Sequence, residues 1–485
     1  MTQKDFFVDI HCHPTMRAFH NNKDGITNLW DENENALINN FVGKKIVKLS
    51  DFISKVSQSN FYHCVNGNVR VIFDSLYPVE RGFINYKPVP KLLLGEKNVE
   101  AIVVNASGIN KRQYHKYKSN ENYFDDLNEQ YDFLINNQGP SPCGKYNYKV
   151  VRNVTELNNW LEKDTGNIAI VVTIEGAHVF NCGTNESQQL NDKQLEELLL
   201  DNVKTIKKGK YPPFFMTFAH HFWNQLCGHA TSLSSATRVT CDQTKGLNLG
   251  FTSVGKKVIS ALLSKENGKR ILIDTRHMSV QSRMEYYDLI EQHNINNPED
   301  IIPTISSHTA VNGFNSFAES VKRKDNAHKT KKSTFYSWSI NMCKEEIKHI
   351  HRYKGLIGII LDKGRHSGKA TQKQINAIKN PIKKKEAFVQ LILDTIFFYV
   401  ESIGEKSGWD ILTLGTDFDG VITHFDCYEN MSKMPVLKED LISYLKSNNY
   451  RKELWFDLSP EEIFDKIFRL NAMNFLIKNF NDRAL

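Results

Sequence analysis

FFVDIHCH, residues 6–13, is a short apolar run that closes on two histidines separated by one residue. In a β-strand successive side chains point to opposite faces, so His11 and His13 share one face and Cys12 takes the other. The same pattern, an apolar β-rich run ending in a polar or ionisable residue, recurs along the chain. It appears as VRVIFDSL (69–76), IAIVVTIEGAH (168–178), FFMTFAHH (214–221), RILIDTRHM (270–278), PTISSHT (303–309), GLIGIIL (355–361) and ILTLGTDFDG (411–420), with AIVVNAS (101–107) as a further or accessory strand.

Helix-like segments lie between these runs. Residues 253–267 carry apolar positions at Val254, Val258, Ala261 and Leu262, a helical spacing, and 385–400 and 461–477 read the same way. Strands alternating with helices predict an α/β fold with a parallel sheet covered by helices. Eight or nine such strands favour closure into a (β/α)8 barrel of the TIM type. Residues 14–68 and 310–354 are long intervals between strands, expected as large insertions over the C-terminal mouth of one barrel domain spanning 1–485.

In such a barrel the strand ends form one ring at the C-terminal face. Here that ring would gather His11 and His13, Glu175, His220 with His221, His277, His308, and Asp417 with Asp419. Imidazole nitrogen with carboxylate oxygen suits zinc and its first-row neighbours, whereas calcium or magnesium takes more oxygen ligands. A carboxylate such as Glu175 can bridge two cations, which together acidify a water. Asp417 is then the candidate proton carrier and His220 the candidate donor to an oxyanion. Each residue also has a plainer role available: Glu175-Gly176 as a strand-to-helix turn, Asp417 and Asp419 as caps. His220 and His221, as strand neighbours, should face opposite sides.

Other features bound the answer. The chain has 485 residues, 40% hydrophobic and 24% charged, ordinary for a globular protein. No run of about 18 apolar residues is present, so no membrane span is expected. The N-terminus lacks the long apolar segment of a signal peptide. Eight scattered cysteines without a Cys-x-x-Cys pair fit reduced thiols in the cytoplasm. The net charge of +7 is partly concentrated in Lys322, Arg323, Lys324, Lys329, Lys331 and Lys332. No stacking aromatics accompany that run, which reads as a solvated loop, and no nucleic-acid partner is expected.

Several segments together resemble the membrane (renal) dipeptidase family of the amidohydrolase superfamily: TIEGAH (173–178), MTFAH (216–220), GLNLGFTSVGKKVI followed by RILIDTRHMS (246–279), SSHTA (306–310) and LGTDFDGV (414–421). The resemblance implies two zinc ions per chain, one on His11, His13 and Glu175, the other on Glu175, His277 and His308. It implies His220 at the scissile carbonyl and Asp417 as the acid/base aspartate, with a small molecule or dipeptide as substrate. Two departures stand out. His11-Cys12-His13 replaces the family's His-x-Asp. Ile340 stands where the family's arginine would hold the substrate carboxylate, a bidentate contact isoleucine cannot make; Arg323 or a nearby lysine could reach back instead. Alternatives are hydrolysis of a lactone, ester, cyclic amide or phosphodiester on the same barrel, or a non-catalytic metal-binding barrel.

Overall fold

The computed structural model describes residues 5–21, 27–34, 56–85, 95–107, 109–233, 237–321, 327–329, 334–420 and 422–481. Twelve strands are formed among them: β1 (Phe7–Cys12), β2 (Val69–Leu76), β3 (Gly139–Pro140), β4 (Asn147–Val150), β5 (Asn167–Glu175), β6 (Phe215–Thr217), β7 (Leu272–Asp274), β8 (Ile305–Thr309), β9 (Ala327–Lys329), β10 (Thr334–Tyr336), β11 (Leu356–Ile359) and β12 (Leu412–Leu414).

Eight of these close a parallel ring in the order β1, β2, β5, β6, β7, β8, β11, β12 and back to β1. The longest seam is β2 against β5, paired from Val71 with Ala169 to Leu76 with Ile174. The α/β barrel expected from the alternation is therefore present. Strands β3 and β4 form an antiparallel pair, β4 adding in parallel to the N-terminal part of β5, and β9 pairs antiparallel with β10 in a separate two-stranded sheet. Barrel strands are covered on both sides, so their sequences are almost continuously apolar, and all nine residues of β5 are buried.

Helices pack outside the ring. Asp192–Lys208 starts with a reciprocal capping box between Asn191 and Gln194. Ser253–Leu263 is capped by the Thr252 side chain and stops at Ser264, short of the expected 267. Pro381–Ile403 begins with Asn380 capping two backbone amides and Pro381 at the first position, and ends on Gly404 in the left-handed region. The C-terminal helical stretch runs through Pro460–Asp465, a π-helical turn Lys466–Leu470 and Asn471–Asn479. Among the described residues, no helix is long and apolar enough to cross a membrane.

The segment 101–107 is not a strand. It belongs to the helix Glu96–Ser107. Val99, Val103 and Val104 make a helical stripe buried against Met16, Tyr77 and Val79, and that stripe begins two residues before the window read as β. Within the long β1–β2 and β8–β11 intervals the described residues include the helices Pro14–His20, Phe61–Asn66, Phe317–Val321 and Lys344–Arg352. Most of the basic run, residues 322–324 and 331–332, lies outside the described residues.

One contact fixes how closely β8 and β11 approach. A Cβ at Gly358 would lie 1.7 Å from the Ser307 carbonyl oxygen, on the strand that carries His308. Only a hydrogen fits there. Gly358→Ala should force the two strands apart and lower stability by about 2–3 kcal/mol, read as a shift of the urea midpoint.

Candidate metal-binding active site

The barrel places the expected residues on one rim. His11 ends inside β1 and His13 follows it; Glu175 is the last residue of β5; His308 lies in β8; His220, His277 and Asp417 each stand three residues beyond β6, β7 and β12. All are buried, Asp417 least so at 8% exposure. His277 and Asp417 adopt φ of 65° and 61°, a left-handed backbone that non-glycine residues seldom take. Gly176, at φ 96°, leaves room for His178, whose ring nitrogen would be 2.3 Å from a Cβ there.

Glu175 is the hub. Its Oε1 lies 3.5 Å from His11 Nε2, 3.6 Å from His277 Nε2 and 3.7 Å from His308 Nε2. Its Oε2 lies 3.2 Å from His13 Nε2 and 3.5 Å from His220 Nε2. Asp417 Oδ1 is 3.5 Å from His13 Nε2 and 3.8 Å from His11 Nε2. The Nε2 atoms of His277 and His308 are 3.2 Å apart.

These separations bear on what the cluster can hold. Zinc bonds of 2.0–2.1 Å in a tetrahedron put neighbouring ligand atoms about 3.4 Å apart. Most of the contacts here fall near that spacing and beyond an ordinary hydrogen bond. Among the described residues, His11 Nε2, His13 Nε2 and Glu175 Oε1 are buried and find no well-formed hydrogen-bond partner. The donor set and the orphaned atoms fit a cation, and His11, His13, Glu175, His277, His308 and Asp417 could supply its ligands.

Hydrogen bonds on the far side of the His13, His308 and His220 rings turn Nε2 inward. His13 Nδ1 lies 2.7 Å from the Ser75 carbonyl, which only accepts, so Nδ1 carries a proton and Nε2 is turned toward the cluster. Ser307 Oγ donates to Asp274 and can therefore accept from His308 Nδ1 at 2.8 Å, with the same result. Asp274 also accepts from Thr217 Oγ1 and from the amides of Arg276 and Ser307, joining three strand ends through one carboxylate. His220 Nδ1 donates to Glu80 Oε2 at 2.6 Å.

The charges follow from this packing. Burial disfavours the ionised form of Glu175, yet the imidazoles of His220 and His11 outweigh it and hold the carboxyl well below its ordinary range. Burial likewise works against protonated His13 and His220, but the carboxylates beside them raise both: Asp417 and Glu175 for His13, Glu175 and Glu80 for His220. Burial, reinforced by His220, His221 and Arg276 beside His277 and by His11 and Arg276 beside His308, drives both well below the usual imidazole value. Burial also pushes Asp9 and Asp74, deeper in the barrel, up to about 6.

Several sequence expectations meet the structure here. His220 and His221 do not split to opposite faces. β6 ends at Thr217, the alternation lapses, and the two rings sit 3.8 Å apart, 4.5 and 5.1 Å from His277. Asp419 is taken up by structure, accepting from Arg17, the amides of Gln58 and Ser59, and the Ser59 hydroxyl. Cys12 packs in the hydrophobic core, away from the rings of its neighbours. Ile340 is buried and offers its carbonyl to Arg276 Nη1. Arg323 lies outside the described residues.

Sequence reasoning missed Glu80, Asp274 and Arg276. Asp274 had a readable signal, an acid inside an otherwise apolar run; Glu80 had none, since it lies beyond its strand and reaches His220 only through the fold.

No family model and no curated protein matches the chain. Solved structures similar to it include a metallopeptidase described as dipeptidase AC, 11% identical, covering 99% of this chain and 100% of its own, with a TM-score of 0.48. A metallopeptidase from Rhodobacter sphaeroides, liganded with a phosphinate mimic of the dipeptide L-Ala-D-Ala, is 11% identical with coverage of 98% and 99% and a TM-score of 0.48. An amidohydrolase from Pseudomonas aeruginosa is 13% identical over 87% of this chain and 91% of its own, at 0.44. The chemistry of those proteins is theirs.

Asp274→Ala would leave four donors without their shared acceptor. It should cost about 3 kcal/mol or more in urea unfolding, well above the effect of an exposed Asp→Ala change.

Proposed function

We propose that this chain is a metal-dependent hydrolase, a divergent member of the membrane dipeptidase family, that cleaves a peptide or other amide bond in a small substrate. The observation that carries the reading is the Glu175 carboxylate held 3.2–3.7 Å from five imidazole nitrogens, close to the spacing of atoms that share a metal ion. In this proposal two zinc ions are held, one by His11, His13 and Glu175, the other by Glu175, His277 and His308. Bound there, they would supply Lewis-acid polarisation and lower the pKa of water.

The chain's own residues would do the rest. His220, kept protonated by Glu80 and Glu175, points Nε2 into the cluster and can donate to the oxygen of a scissile carbonyl. Asp417, beside His11 and His13 at the more open edge, can carry a proton between water and the leaving amine. The buried walls exclude bulk water and strengthen each of these interactions. Eight cysteines, all unpaired, support placing the protein in a reducing compartment such as the cytoplasm.

A second reading changes the bond cleaved to that of a lactone, ester, cyclic amide or phosphodiester. It is favoured by Ile340, an aliphatic residue where a dipeptide-binding arginine would be expected.

Metal analysis of the purified protein should find up to two zinc-like ions per chain, removable by chelation. His277→Ala or His308→Ala should reduce that content. Asp417→Asn should keep metal bound and cut kcat by roughly 10²-fold or more in a screen of dipeptides of both stereochemistries, lactams and lactones; an unchanged kcat would remove Asp417 from the proton path. Glu80→Gln takes away a negative charge that stabilises protonated His220. The alkaline limb of the kcat/KM profile should therefore move to lower pH, while the acid limb stays.

A further inference from the structure

Next to the histidine cluster lies a group of buried nitrogens that carry protons and, among the described residues, meet no acceptor. Arg276, 2% exposed, donates through Nη1 to the Ile340 carbonyl at 2.7 Å and to Thr309 Oγ1 at 3.3 Å, yet its Nε and Nη2 have no partner. Arg365, 9% exposed, donates through Nη2 to the Ser232 carbonyl at 3.1 Å, and its Nε and Nη1 have none. Asp362 Oδ2, 3.7 Å from Nε, pairs with the Arg365 charge but is too far for a hydrogen bond, so it leaves the donors unmet. The guanidinium of Arg365 stacks 4.3 Å from the Trp338 ring centre, and Trp338 Nε1, also buried, is unpartnered.

These side chains are contiguous. Trp338 packs with Ile340 and Ala230, and the Ile340 carbonyl is the one Arg276 holds. Asn341 Nδ2 ties the same segment to the Arg365 carbonyl at 2.8 Å. Ser232, which anchors Arg365, also meets His221 Nδ1 through its hydroxyl. Asp417 is near enough for its charge to act on both arginines, though it bonds to neither. Burying two guanidinium groups with unmet donors is costly. The cost falls when an anion with several acceptor oxygens completes the set, and the planar guanidinium fork matches such an anion.

We propose that Arg365, Arg276 and the Trp338 indole N–H form the seat for an oxyanion group, carboxylate or phosphate, carried by the substrate beside the cluster that would cleave it. This rests on the hydrolase reading and narrows it to acidic substrates.

Calorimetric titration of the full-length, metal-loaded protein reads the inference without turnover. The probes are inorganic phosphate, N-acetylglycine and N-acetylglycinamide. Phosphate or N-acetylglycine should bind at least tenfold more tightly than the uncharged amide, and the better of the two identifies the anion. Arg365→Gln should weaken that binding at least tenfold, Arg365→Lys should fall between, and Trp338→Phe, which keeps the stack and removes only the N–H, should weaken it severalfold with the melting temperature unchanged. Anion binding equal in wild type, Arg365→Gln and Trp338→Phe would assign it to the metals and overturn the proposal, as would no preference for either anion. The two readings fail separately: anion binding through Arg365 with no hydrolysis of any substrate sinks the hydrolase reading alone, whereas hydrolysis indifferent to substrate charge sinks the anion seat alone.

Discussion

A single buried carboxylate organises this protein's rim. Glu175 has no room to be solvated, and what surrounds it instead is a ring of imidazole nitrogens from four other strand ends. A carboxylate facing several lone pairs repels them; facing protons or cations it is held firmly. The opposed ionisation tendencies of the cluster, His13 and His220 raised while His277 and His308 are lowered, express one anion shared among more rings than it can protonate. Cations in the middle would satisfy both halves together.

That arrangement needs the strand ends held in register, and a layer of buried acids just below the rim provides it. Asp9 accepts from the Thr416 hydroxyl and amide and from the His11 amide, so β1 is tied to the turn that carries Asp417. Asp274 ties β6, β7 and β8, and Thr15 donates to Asp74 on β2. None of these acids reaches the cluster. They fix the backbone from which the imidazoles project, and short side chains in a dry barrel do this more rigidly than loops could.

The period-two spacing of His11 and His13 and the apolar runs before Glu175, His277, His308 and Asp417 were legible because strand alternation and barrel closure are local and topological rules. Where the backbone leaves those rules the reading failed. His220 and His221 come after the strand, so alternation no longer governs them. The 101–107 run looked extended because a seven-residue window cannot tell a β-run from part of a helical stripe. Arg365 could not have been found at all, since its place beside Trp338 and Ser232 is made by contacts between segments 27 to 133 residues apart.

The left-handed backbone at His277 and Asp417 bears on attempts to harden this protein against heat. A side chain at such a position costs of order 1 kcal/mol that glycine does not. A redesign that ranks substitutions by folding energy alone would choose these two positions early and gain robustness by deleting an imidazole and a carboxylate from the rim. Here two of the residues held in left-handed backbone are ones an engineer should exempt.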